Sequence, residues 1–202
     1  MLISHEVPIA LLQESKQFND YDYCLVHFLP QYEQYKEYYF DAVASGRHVL
    51  LDNSIFELGE AYDSKAFVKW IEKLQPTEYI IPDTLDDSYN TIKQVDDWLQ
   101  TYSNLPGKKI GVVQGKTYDE AKNCYLNIVN KVDKVAFSFD SLFYDDIFND
   151  NSILNKYEKW MYGRIIVLNR MVNEGTINVT KPTHLLGASL PQEFRYCLLY
   201  TF

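Results

Sequence analysis

Apolar residues along the chain come in short runs, each followed by a polar turn and then a stretch with helical spacing. The runs are Tyr23–Leu29, His48–Leu51, Tyr79–Pro82, Lys109–Val113, Val135–Phe139 and Thr183–Leu186. A short unbroken apolar run is the pattern of a strand covered on both faces, as in a parallel sheet. Between the runs, Phe67, Ile71 and Leu74 share one helical face, as do Ile92, Val95, Leu99 and Tyr102. Helix starts agree with this. Thr117 to Glu120 and Ser189 to Gln192 both fit a capping box, and Asp63 can cap a helix beginning near Ser64. Pro106-Gly107 interrupts the chain before the fourth run.

The runs beginning near His48, Tyr79, Lys109 and Val135 lie roughly 30 residues apart, the length of one βα unit. Strands alternating with helices predict an α/β fold with a parallel sheet. Ser141–Asn151 reads as a long loop and Ser152–Asn173 as a helix. With no internal repeat and no linker, the expectation is one domain over residues 1–202. A doubly wound sheet and a (β/α) barrel both satisfy this periodicity.

Composition narrows the class further. The 202 residues are 47% hydrophobic and 23% charged, which fits an ordinary globular chain. A net charge of −9 gives no general attraction to phosphate backbones or anionic lipid. Cys24, Cys124 and Cys197 are far apart, and so are the four histidines, so neither a zinc site nor a disulfide framework is expected. The N-terminus lacks the basic flank and long apolar run of a secretion signal, and no apolar run reaches spanning length. These features predict a soluble, cytoplasmic protein with no membrane partner. The unusual figure is 17 Tyr against 3 Trp.

Polar groups follow each predicted strand: Asp52-Asn53-Ser54, Asp83-Thr84, Gln114-Gly115, Asp140, and Gly187-Ala188-Ser189. The carboxyl ends of parallel strands are where α/β proteins place their sites. Bland alternatives stand beside this. Asp83 and Thr84 could cap the next helix, Phe56 could be core, and His27 could be structural. Ser54 has no GxSxG context and Gly111 with Gly115 makes no GxGxxG, so a hydrolase elbow and a dinucleotide site have little support. Two carboxylates, an amide and an aromatic suit recognition of a purine-like base and cleavage of its N-glycosidic bond. That bond breaks through an oxocarbenium-like state needing a carboxylate near the sugar carbon and a group to manage the base's proton.

Three segments carry a family resemblance. Asp52-Asn-Ser-Ile-Phe56-Glu resembles the DSGGFQ segment of the tRNA-guanine transglycosylases. Gly111-Val-Val-Gln114-Gly115 resembles their GIVQGG segment, and His184-Leu-Leu-Gly187-Ala-Ser-Leu-Pro-Gln-Glu resembles their YLMGVGTPED segment. The resemblance implies a (β/α) TIM-type barrel, short or incomplete at its C-terminus. It implies exchange of guanine in nucleic acid, tRNA or DNA, for a 7-deazaguanine base; compact phage-encoded relatives act on DNA. By position, Asp52 matches the aspartate of proton transfer and Phe56 the ring that stacks on the base. Asp83 matches the aspartate that accepts from the base N–H groups. Gln114 matches the amide donating to the base carbonyl, with Gly115 beside it, and Gly187 matches a glycine of the pocket wall.

Three departures accompany the resemblance. Ile55 stands where the family has a glycine, and Ser138-Phe139-Asp140 replaces an alanine–glycine-rich wall. The family's nucleophilic aspartate and zinc ligands follow the Leu185–Pro191 segment, and residues Arg195–Phe202 contain neither. Hence no metal or other cofactor is expected, and Asp52 is the acid/base, or the nucleophile if the chain is complete. Two other readings stay open. The chain could be a non-catalytic or half-enzyme binding subunit that forms a homodimer or needs a completing partner chain. It could also be an unrelated (β/α) lyase or hydrolase. Lys108, Lys109, Lys116, Arg164 and Arg170 are candidate phosphate contacts whose ordinary reading is solvated surface.

Overall fold

Among the described residues, six strands lie hydrogen-bonded side by side in chain order: β1 (Asp22–Leu25), β2 (Val49–Asp52), β3 (Glu78–Ile80), β4 (Lys108–Val113), β5 (Lys134–Phe137) and β6 (Thr183–Leu185). The pairs β1–β2, β2–β3, β3–β4 and β5–β6 run parallel. The order has no reversal, whereas a doubly wound sheet reverses at its switch point. The α/β class with a parallel sheet is thus the architecture of the chain. The computed structural model describes residues 1–147, 154–188 and 190–197, with backbone alone at 196 and 197. The helices are α1 (Leu12–Ser15), α2 (Glu33–Ala44), α3 (Ile55–Leu58), α4 (Ser64–Leu74), α5 (Ser88–Thr101), α6 (Tyr118–Ile128), α7 (Leu142–Ile147), α8 (Lys156–Asn173) and α9 (Glu193–Cys197). Among the described residues no helix is long and apolar enough to cross a membrane.

The chain divides into two compact units, Met1–Pro82 with Asp97–Ile110, and Asp83–Asp96 with Gly111–Phe202. In the first, β2 is buried along its whole length. The outer edge of β1 is closed by tyrosines. The Asp22 amide donates to the His48 carbonyl at 2.8 Å, and the register pairs Asp22 with Val49. In a parallel ladder this turns the N–H and C=O of Tyr23 and Leu25 away from β2. Those groups go to α2: the Tyr35 hydroxyl accepts from the Leu25 amide at 2.7 Å, and the Tyr39 hydroxyl donates to the Tyr23 carbonyl. Tyr38 donates to the Asp22 carboxylate at 3.0 Å, which also holds Arg47. Each of these three tyrosines is 3% exposed. Part of the tyrosine-rich composition therefore satisfies an edge strand that would otherwise need another strand.

Asp63 caps α4 by accepting from the Ala66 amide at 2.8 Å, and Phe67, Ile71 and Leu74 are buried as their spacing predicts. Phe67 packs with Tyr79 and Trp98, and the Trp98 indole donates to the Tyr79 hydroxyl at 3.2 Å. This displaces the expected stripe on α5. Thr91, Val95 and Trp98 are buried, while Ile92 and Leu99 are half-buried, because the large indole takes the inward position.

In the second unit, Thr117 caps α6 through the Glu120 amide at 3.3 Å. The reciprocal arm is shifted by one residue, since the Glu120 carboxylate accepts from Lys116 rather than Thr117. The segment read as a loop from Ser141 is helical over Leu142–Ile147, because Phe143 and Tyr144 bury their rings there. Gly163 makes room for it: a Cβ there would lie 2.6 Å from Tyr144 Cβ. The following helix starts at Lys156, behind a capping box of Asn155 and Glu158, rather than at Ser152, which lies outside the described residues. The cap expected at Ser189 also lies outside them, and α9 begins at Glu193.

Candidate functional site

Asp52 ends β2 and is 7% exposed. Its carboxylate is held from two directions. Oδ1 accepts from the Ser54 amide at 2.5 Å, and Oδ2 accepts from the Tyr23 hydroxyl at 2.5 Å. The local sequence explains the first contact. Asp52 accepts from the residue two ahead, and Asn53 does the same from Ile55 at 2.9 Å, so the turn is two overlapping Asx turns. This places Ser54 at φ 59°, a left-handed conformation uncommon for a side chain other than glycine, and α3 begins directly after it. Asn53 Nδ2 donates to the Ile81 carbonyl at 3.2 Å, which ties the turn to the chain after β3.

Tyr23 lies inside the first apolar run, where nothing in the local pattern marks it as a partner of Asp52. The register pairs Tyr23 with Leu50 and Leu25 with Asp52, so all four side chains share one sheet face. A tyrosine is long enough to reach the carboxylate two positions along the neighbouring strand. The only available signal was a hydroxyl-bearing residue in the first apolar run. Burial and the neighbouring Asp52 carboxylate hold the Tyr23 phenol well above its ordinary pKa, so it stays a donor. His27, in a turn of 3-10 helix (Val26–Phe28) after β1, is 6% exposed, and its buried Nδ1 lacks a hydrogen-bond partner. Burial lowers its pKa, against a smaller opposing pull from the Glu57 carboxylate. The Ser54 hydroxyl receives the His27 backbone amide at a long 3.4 Å. Ser54 and His27 thus make no serine–imidazole pair. Phe56, on α3, is 69% exposed and is not core.

In the second unit, Asp83 and Gln114 are each 2% exposed and bonded to one another. Gln114 Nε2 donates to Asp83 Oδ2 at 2.7 Å, and Gln114 Oε1 accepts from the Asp86 amide at 3.0 Å. Asp86 itself is left-handed at φ 54° and accepts from the Leu142 amide at 3.2 Å. At the start of α5 it is Asp87 that accepts from the Asn90 amide, at 2.9 Å. Gly115 follows β4 in close contact with α6. A Cβ there would meet the Ala121 amide at 2.8 Å, which explains the glycine by packing alone. Gly187 is exposed, at φ 60°, and a Cβ would lie 3.1 Å from Phe139 Cβ. Asp140 is raised in pKa by burial and then by the nearby Asp86 carboxylate.

The candidate phosphate contacts separate. Lys108, Lys116 and Arg170 are exposed, Lys109 is half-buried over the Tyr79 ring, and Arg164 is a buried structural residue. Its guanidinium pairs with Glu193 through Nε at 2.7 Å and Nη2 at 2.8 Å, while Nη1 donates to the Leu186 carbonyl at 2.6 Å. The surface reading of Arg164 is corrected by this burial: the clamp fixes the segment carrying Gly187. Among the described residues no group of three His, Cys, Asp or Glu side chains is placed to hold a metal ion. Comparison of the chain with protein-family models, with curated proteins and with solved structures found no match.

Proposed function

We propose that the chain is a (β/α) barrel-type base-exchange transglycosylase, similar to the tRNA-guanine transglycosylases, that replaces guanine in nucleic acid with a 7-deazaguanine base. The observation that carries this reading is the environment of Asp52. A carboxylate 7% exposed, held by donors from Tyr23 and Ser54, ends β2, and Phe56, four residues further along the chain on α3, leaves its ring 69% exposed. A core phenylalanine would be buried; one left in solvent a few residues after a preorganised carboxylate suits a stacking platform for a base. The Asp83–Gln114 pair supports the same reading, because an amide has two N–H groups and Asp83 takes one.

In the exchange, the C1′–N bond breaks and the leaving base keeps its electron pair and takes up a proton. The incoming base loses a proton as its ring nitrogen bonds C1′. Asp52, as a carboxylate, stabilises the cationic sugar; the outgoing base takes its proton from solvent, and Asp52 accepts the proton that the incoming base releases and returns it to solvent. The resemblance assigns stacking on the base to Phe56, acceptance from its N–H groups to Asp83 and donation to its carbonyl to Gln114. The nucleotide must leave its stack to be reached. The test is incorporation of labelled guanine and of a deazaguanine precursor into tRNA and into duplex DNA. The expected result is incorporation into one polymer, lowered about 10²- to 10⁴-fold by Asp52→Ala. Incorporation unaffected by Asp52→Ala overturns the role of Asp52, and no incorporation into either polymer overturns the activity.

A further inference from the structure

Asp52 is held by its own turn and by a side chain from the neighbouring strand. The Ser54 amide, two residues on, fixes Oδ1, while Tyr23 reaches Oδ2 from β1. Tyr23 is itself anchored. Its carbonyl receives the Tyr39 hydroxyl, and the Leu25 amide next along the same edge donates to Tyr35. The tyrosines of α2 therefore fix the backbone of β1, β1 fixes the ring of Tyr23, and the ring fixes the carboxylate. Without the phenol, Oδ2 loses the hydrogen bond that Tyr23 donates from the neighbouring strand.

We propose that Tyr23 is a positioning residue for Asp52, orienting its carboxylate and favouring the ionised form through the hydrogen bond between β1 and β2. The catalytic consequence rests on the transglycosylase reading; the structural one does not. Other ionisable groups bear on the pair. Cys24 on β1 lies near Asp52, Glu57 of α3 and Tyr21 lie near Tyr23, and Glu57 is also near His27. Glu57 is a further anion, and the buried Cys24 thiol and Tyr21 phenol are both held protonated, so none of them supplies the cation that would replace Tyr23. A donor to a carboxylate lowers its pKa, so removing the phenol raises the pKa of Asp52.

The experiment is a titration of the aspartate carboxyl carbons by NMR in protein labelled with ¹³C-aspartate, with the Asp52 signal assigned through Asp52→Asn. In Tyr23→Phe, the Asp52 midpoint moves upward by about one to two pH units, the size of a lost hydrogen bond to a charged group. With 3-fluorotyrosine at position 23, which keeps the hydroxyl and is a stronger donor, the midpoint moves downward; this arm decides the matter if Tyr23→Phe fails to fold. Midpoints unmoved in the folded variants overturn the proposal. In base exchange, Tyr23→Phe shifts the acidic limb of the rate profile upward by the same amount and lowers kcat more than it raises KM. A uniform loss at every pH marks a structural role and overturns positioning. Absence of base exchange in the unaltered protein overturns the function, and the NMR titration still decides the role of Tyr23.

Discussion

Gln114 donates from Nε2 to Asp83 Oδ2 at 2.7 Å, and both residues are 2% exposed. An amide beside a buried carboxylate supplies a donor without adding charge. Gln114→Glu replaces that donor with a second carboxylate. Like charges raise the pKa of the pair above its unfolded value, so the folded state holds more protons and stability falls as pH rises. The variant is expected to lose about 1–3 kcal/mol at pH 7. The deficit should shrink toward pH 5, as read by urea unfolding at both pH values.

Arg164 and Glu193 are both nearly inaccessible, at 0% and 1% side-chain exposure. Breaking such a pair leaves a buried charge unmatched. Glu193→Gln is expected to cost about 3–5 kcal/mol in chemical denaturation. The double change Arg164→Met with Glu193→Leu should be milder than either single change, because no charge is left behind.

The tyrosine-closed edge of β1 predicts a hydrogen-exchange signature. Tyr35→Phe removes the acceptor of the Leu25 amide, and exchange at that amide should quicken while amides of β2 stay protected. The stability loss should be about 1–3 kcal/mol. Adding Tyr39→Phe exposes a second edge group, and self-association measured by sedimentation should rise with it.

Ser54 sits at φ 59°, where glycine carries no steric penalty. Ser54→Gly is expected to leave thermal stability within about 1 kcal/mol of the unaltered protein. Ser54→Val forces a β-branched residue into the left-handed region and should lower the melting temperature clearly.

Phe56 separates stability from function. At 69% exposure, its replacement by alanine should change stability by no more than about 0.5 kcal/mol. Base exchange should fall with it, through a raised KM for the nucleic acid or base. Unchanged kinetics would remove Phe56 from the site.

The sequence by itself determined the strands and the parallel sheet. Runs such as His48–Leu51 and Val135–Phe139 are apolar throughout, and burial on both faces allows little else. It also marked the strand ends as the place for Asp52, Asp83 and Gln114, and Asp63 as a helix cap, because these are local patterns of a few residues. Only the tertiary structure decided the partners. Tyr23 reaches Asp52 across 29 positions, Arg164 meets Glu193 across 29, and Gln114 meets Asp83 across 31. Nothing in the spacing of a tyrosine in an apolar run distinguishes a core ring from one holding a carboxylate. Likewise, an arginine in a helix reads as solvated until a buried glutamate and two carbonyls are brought around it. Local patterns report what a residue does with its nearest neighbours, while register and burial determine which distant groups it meets.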